Sequence, residues 1–95
     1  MALTHWPTVD DPRYSTRMRR AMHGLEEFRL WACGFGLEVI VLKHGDEWHM
    51  RRDGQDVAEW HISTRSFSVG PLDRNAPLPW VSSPEELRKA LEPYL

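Results

Sequence analysis

The dipeptide Asp53-Gly54 lies between two segments of alternating polarity and constrains the fold more than any other feature of the chain. Such a dipeptide is a strong signal for a β-hairpin. A two-residue loop would place Trp48 opposite Glu59 and would split the apolar residues between the two faces. A three-residue loop, with Gly54 in the left-handed conformation, pairs Trp48 with Trp60 and gives one apolar face. We therefore predict the second register.

The same register predicts a polar face on the other side of the hairpin. Its expected cross-strand pairs are His49 with Glu59, His61 with Glu47, and Arg51 with Val57. Polar pairs of this kind are typical of a face that is at least partly wet. Because a carboxylate stabilises a nearby imidazolium, we expect the pKa of the histidines on this face to be raised.

The segment before the hairpin predicts one amphipathic helix over residues 12–33. Asp11 is the expected N-cap, Pro12 suits the first helical position, and Gly24 is a point at which the helix can kink. A stripe of three basic residues runs beside its apolar face: Arg13, Arg17 and Arg20. The stripe predicts contact with an acidic partner or a phosphate backbone, although such stripes are commonly solvated helix surface.

Four short segments with β-branched and aromatic residues predict the strands of an antiparallel meander, at residues 37–43, 47–52, 55–62 and 66–69. The first of these is apolar on both faces of the pleat, which predicts cover on both sides, by this chain or by a second copy. Ser83 and Glu86 have the spacing of a capping box, and they predict a last helix that runs to about Glu92. The fold class is therefore α+β: a helix, a four-stranded meander and a closing helix.

The whole chain, residues 1–95, is long enough for one domain. Residues 1–10 are expected to form an irregular arm, and residues 70–83 a Pro-rich strap that returns Trp80 to the core. The chain has five tryptophans, more than so small a core needs, so any exposed tryptophan is a candidate contact site.

Charge and cysteine content limit the classes of function. Twelve basic against fourteen acidic side chains oppose general binding to nucleic acid or to acidic membranes. A single cysteine, Cys33, allows no internal disulfide, and we expect it to be buried. We find no signal-peptide pattern and no apolar run of the ~20 residues that cross a bilayer, so we predict a cytoplasmic protein.

No complete catalytic or cofactor motif is present, so we assign no catalytic residue, metal or cofactor. The densest cluster of chemically active residues is His44, Asp46, Glu47 and His49, with Glu59 and His61 across the hairpin. Its residue types could bind a metal or supply general acid–base catalysis, as in a small hydrolase. Without a recognised ligand spacing, an exposed His/Glu ladder is the simpler interpretation.

By elimination, the sequence favours a non-catalytic protein-binding module, an accessory protein or inhibitor of a larger complex. Small inhibitors encoded by phages and mobile elements, such as those directed against bacterial defence or CRISPR complexes, share this size and lack of motifs. The alternatives are a nucleic-acid-associated regulatory domain, a homodimer through the first strand, and the hydrolase. The residues predicted to contact a partner are Arg13, Arg17, Arg20, Glu47, His49, Arg51, Glu59 and His61.

Overall fold

A computed structural model describes residues 15–70 and 79–95 of the chain. Within these ranges, α-helices pack on one face of a four-stranded antiparallel sheet whose strands are ordered β1-β2-β3-β4. The elements are α1 (Thr16–His23), α2 (Leu25–Cys33), β1 (Glu38–Leu42), β2 (Glu47–Arg52), β3 (Gln55–His61), β4 (Ser66–Val69) and α3 (Pro84–Leu91). Short 3₁₀ turns occupy Lys43–Gly45 and Glu92–Tyr94. The predicted α+β class and the meander are confirmed.

Some predicted features lie outside the described residues. They are the irregular arm at residues 1–10, the helix start at Asp11 and Pro12, the first residue of the basic stripe, Arg13, and most of the strap at residues 70–83.

The predicted first helix is divided in two at Gly24. Helix α1 begins at Thr16, after Ser15, whose hydroxyl accepts a hydrogen bond from the backbone N–H of Met18 at 3.1 Å. Gly24 ends α1 and begins α2, so the predicted weak point is a complete break. A Cβ at Gly24 would lie 2.8 Å from Cγ of Pro84, the first residue of α3. The missing side chain therefore allows α3 to approach the junction of the first two helices.

The core lies between the helices and the apolar face of the sheet. Trp48 pairs with Trp60 and Met50 with Ala58, which confirms the predicted register over this part of the hairpin. The two indole rings meet edge to face with centroids 4.9 Å apart, and both are fully buried. Each indole N–H donates to a backbone carbonyl, so their burial leaves no unpaired donor. Phe28 of α2 stacks on Trp48 at 5.6 Å and extends the aromatic cluster to the helices.

The turn of the hairpin differs from the prediction. Asp53 and Gly54 form a two-residue turn with φ of 53° and 80°, and Arg52 pairs with Gln55 across it. Positive φ at both central residues matches the twist of the flanking strands. A β-bulge then restores the predicted register farther from the turn, because the pairing passes from Met50–Ala58 to Arg51–Asp56 and leaves one residue of β3 unpaired with β2. Arg51 therefore lies opposite Asp56, and the predicted pair with Val57 is wrong.

Trp80 is not returned to the core as expected, because its side chain is 77% exposed. The next residue, Val81, is 2% exposed and occupies the position in the core. Neighbouring residues of an extended segment point to opposite sides, so burial of Val81 directs Trp80 outwards. Cys33, also expected to be buried, is exposed at the end of α2.

The first strand and the last helix differ from prediction in smaller ways. The outer face of β1 is only partly covered, with Leu42 40% exposed. Ser83 caps α3 by accepting from the N–H of Glu86 at 3.2 Å, as the capping box predicts. The Glu86 carboxylate accepts from the N–H of Ser82, one residue before the cap. Helix α3 ends at Leu91, and a 3₁₀ turn continues the chain.

Gly24→Ala tests the close approach of α3 to the junction of α1 and α2. In a helix without such a contact, replacing glycine by alanine would raise the free energy of unfolding by about 1 kcal/mol. Here the contact of the added Cβ with the Pro84 ring should instead lower the free energy of unfolding by about 1–3 kcal/mol. Urea denaturation measures the change, and His23→Ala, an exposed neighbour in α1, serves as the control. A stabilised Gly24→Ala protein, or no partial rescue by adding Pro84→Ala, would show that the contact does not limit packing.

Candidate functional site

The polar face of the hairpin has a buried centre. The predicted pairs Glu47–His61 and His49–Glu59 are confirmed. The side chains of Glu47 and His49 are 8% and 10% exposed, and those of Glu59 and His61 are 15% and 33% exposed. The face is therefore largely dry at Glu47, His49 and Glu59 and wetter at His61, where the sequence predicts a partly wet ladder.

His49 is held between two carboxylates. Its Nδ1 lies 3.1 Å from Oδ2 of Asp56, and its Nε2 lies 3.0 Å from Oε1 of Glu47. A neutral imidazole can donate only one hydrogen bond, whereas the imidazolium can donate two. The geometry therefore favours a positive charge at this buried ring.

Glu59 lies between the two histidines of the face. Nε2 of His61 lies 2.7 Å from Oε1 of Glu59, and the same oxygen lies 3.9 Å from Nε2 of His49. His61 also approaches Glu47, with Nδ1 3.9 Å from Oε2. Imidazoles and carboxylates therefore alternate around the centre of the face. We name these four residues, Glu47, His49, Glu59 and His61, the His/Glu cluster.

Two cations lie at the border of the His/Glu cluster, one paired with Asp56 and the other with Glu47. Arg51 donates from Nε to Oδ1 of Asp56, which becomes its neighbour through the bulge in β3. Lys43 forms an ion pair with Oε2 of Glu47. Lys43 has a left-handed φ of 52°, which ends β1 one residue earlier than predicted and turns the chain back towards the cluster.

The pKa shifts follow from these contacts. Burial would lower the pKa of His49, but hydrogen bonds to Glu47 and Asp56 and the charge of Glu59 outweigh it, so the pKa is raised. Hydrogen bonds from Lys43 and His49 hold the pKa of Glu47 below its ordinary value, against the effect of burial. The predicted rise in pKa is confirmed for His49.

The other predicted residues lie away from the His/Glu cluster. Asp46 caps the loop after β3, since its carboxylate accepts from the backbone N–H and the hydroxyl of Ser63. His44 is exposed in the turn. In the described part of the basic stripe, Arg17 donates to the carbonyl of Ser63 at 3.2 Å, and Arg20 lines a groove between the α1–α2 junction and α3.

Asp56 and Lys43 join this site without a signal in the sequence. Asp56 directly follows the turn, and only the bulge brings its carboxylate to His49 and Arg51. The spacing of Lys43 and Glu47 in the sequence resembles a helical pair, whereas the chain here is a strand and a turn. A left-handed residue between two strands could not be read from that spacing.

The arrangement can bind a cation or exchange a proton. Glu47, His49 and Glu59 each offer one ligand atom, and these three atoms lie within 4.8 Å of one another. Nitrogen and carboxylate oxygen are common ligands of divalent transition metals.

In comparisons with known proteins, the chain matches no family model, no curated protein and no solved structure. Among the helices of the described residues, none has the length and apolar character needed to span a bilayer.

Asp56→Asn tests the hydrogen bond that supports the charge on His49. In a chelator-containing buffer, the wild-type His49 ring should titrate above the ordinary value of about 6.5 in an NMR pH titration, and Asp56→Asn should lower that pKa. Protonated His49 therefore stabilises the fold fully below about pH 6.5, and this contribution is lost as the pH rises through the folded-state pKa.

Asp53→Asn is the matched control for this titration. It removes the same charge three residues away, at an exposed turn position with a left-handed φ that asparagine tolerates. It should leave the titration of His49 nearly unchanged. Equal effects of the two variants would mean that general charge, and not the Asp56 contact, sets the pKa.

Proposed function

We propose that this domain is a non-catalytic binding module that engages a protein partner through a surface centred on Trp80. The observation that carries the proposal is a large aromatic side chain that is 77% exposed on a firmly held backbone. Tryptophan is enriched among the residues that dominate binding energy at protein interfaces.

The backbone around Trp80 is held from several sides. Trp80 forms a β-bridge with Ser66 at the edge of β4, and the next N–H, that of Val81, donates to the carbonyl of Arg65 at 2.8 Å. The carbonyl of Val81 accepts from the buried indole N–H of Trp60 at 3.0 Å. A side chain displayed on such a backbone loses little conformational freedom on binding, so more of its contact energy becomes affinity.

The chemistry of this surface indicates the kind of partner. An indole can bury roughly 150–250 Å² of surface, which requires an apolar pocket on the partner. The hydroxyls of Thr64 and Ser66 lie beside the bridge to Trp80 and suit a polar rim. A protein pocket with hydrogen-bonding groups at its edge fits both features. An accessory protein or inhibitor acting on a larger complex would use such a surface.

Leu30 provides an internal control for hydrophobic exposure. It is 76% exposed, nearly the same as Trp80, and lies on α2, which packs on β1 at the opposite edge of the sheet from β4. If binding depended only on the amount of exposed apolar surface, substitution of either residue would weaken it equally. If binding depends on a specific contact at the β4 edge, only substitution of Trp80 weakens it.

The proposal is tested by affinity capture followed by direct binding. Wild-type, Trp80→Ala and Leu30→Ala proteins capture partners from the native host lysate with and without nuclease, and mass spectrometry identifies them. The purified partner is then titrated by calorimetry. Trp80→Ala should weaken binding by about 2 kcal/mol or more, roughly thirtyfold in Kd, and Leu30→Ala less than about twofold.

Two outcomes would overturn the proposal. The first is equal binding by Trp80→Ala and wild type, which would place the contact elsewhere on the surface. The second is loss of every partner on nuclease treatment, which would favour nucleic acid and the basic stripe, with steep salt dependence as its signature.

A further inference from the structure

Three ligand atoms converge at the centre of the polar face. Nε2 of His49 lies 3.0 Å from Oε1 of Glu47 and 3.9 Å from Oε1 of Glu59. All three side chains are at least 85% buried, because their exposed fractions are 8%, 10% and 15%. Carboxylates this deeply buried differ from the acidic groups that commonly cluster on protein surfaces.

The electronic arrangement at His49 requires a cation. When the N–H of Nδ1 donates to Asp56, the lone pair of Nε2 points to the side of the ring where Glu47 and Glu59 lie. Three atoms with unshared electron pairs then meet at one point in a largely dry environment. Either a proton on Nε2 or a metal ion among the three atoms removes the repulsion.

Two of the three ligands, His49 and Glu47, have a partner on the side away from the converging ligand atoms. Asp56 accepts from Nδ1 of His49, and Lys43 pairs with Oε2 of Glu47. His61 instead contacts Oε1 of Glu59, the same oxygen that faces His49, at 2.7 Å. Metal-binding histidines usually donate their second ring N–H to a carboxylate, and ligating carboxylates are themselves hydrogen-bonded. These outer partners set the orientation of the ligand atoms before any ion binds.

We propose that Glu47, His49 and Glu59 form a binding site for one divalent transition-metal ion of the zinc class. His49 supplies a neutral imidazole nitrogen, and the two glutamates supply carboxylate oxygens. Its ligands are other side chains than Trp80, which lies on the same row of the sheet as His61 through Ser66.

The donor set selects among divalent cations. One imidazole nitrogen with two carboxylate oxygens suits Zn²⁺, which binds both types of ligand at about 2.0–2.2 Å. Mg²⁺ prefers an octahedron of oxygens and Ca²⁺ takes six to eight, so three ligands that include a nitrogen serve both ions poorly. Three protein ligands leave the fourth position of a tetrahedral ion for water.

A bound ion would connect the two central strands of the sheet. Glu47 and His49 belong to β2, and Glu59 belongs to β3. A metal that binds the folded chain and not the unfolded chain raises the unfolding temperature. The rise is proportional to the logarithm of the metal concentration. We expect a rise of roughly 10 °C at a hundredfold excess of Zn²⁺ over Kd.

The experiment uses the full chain with Cys33→Ser, because Cys33 is an exposed thiol that could bind Zn²⁺ by itself. Calorimetric titration with ZnCl2 should show one equivalent with a micromolar or tighter Kd, and MgCl2 should show no binding at about 1 mM. Glu47→Gln and Glu59→Gln should each weaken Zn²⁺ binding at least tenfold. Glu85→Gln, an exposed residue of α3, is the matched control and should leave the Kd unchanged.

If a glutamine variant does not fold, the site is tested by NMR titration of Zn²⁺ into the protein with all three ligands intact. Zn²⁺ should shift the ring resonances of His49, with the same Kd as calorimetry, before it affects the exposed His23 and His44. No binding below millimolar Zn²⁺, shifts confined to the exposed histidines, or a Kd unaffected by folded Glu47→Gln would overturn the proposal.

Discussion

Trp48 and Trp60 face each other across β2 and β3 with ring centroids 4.9 Å apart, and both are fully buried. Their pairing determines which residues of the hairpin face the helices and which face the opposite side of the sheet. A slip of one residue would turn His49 towards the core and a tryptophan to the outside, at the cost of burying charge. The helices pack on this pair through Phe28, so the aromatic cluster joins the two layers of the domain.

The bulge in β3 is the second determinant of the site. It arises because a two-residue turn and the tryptophan pairing require registers that differ by one residue. The strand accommodates the difference by leaving Val57 out of the pairing with β2. Asp56 thereby reaches both His49 and Arg51. The bulge satisfies both the preferred turn and the tryptophan pairing. As a result, the carboxylate of Asp56 lies beside the buried imidazole of His49.

The two proposed sites differ in what holds them. The His/Glu cluster is built on the two central strands, with Lys43 paired to Glu47 and Arg51 paired to Asp56 at its border. Trp80 lies at the edge of β4 on a segment held by backbone hydrogen bonds. Within the described residues, strand pairing and backbone hydrogen bonds hold both sites, which favours a preset geometry.

The sequence by itself determined the α+β class, the strands of the meander, the cap of α3 and the tryptophan register. These follow from alternation, turn chemistry and capping, which act between residues close in the chain or across one hairpin. Only the tertiary structure decided the break at Gly24, the exposure of Trp80 and the inclusion of Asp56 and Lys43 in the site. Asp56 and Lys43 reach the site through a bulge and a left-handed turn residue, which no residue spacing in the sequence encodes. The break at Gly24 and the exposure of Trp80 depend on competition for space between distant segments. Pro84 occupies the volume beside Gly24, and Val81 occupies the place in the core that Trp80 would otherwise take.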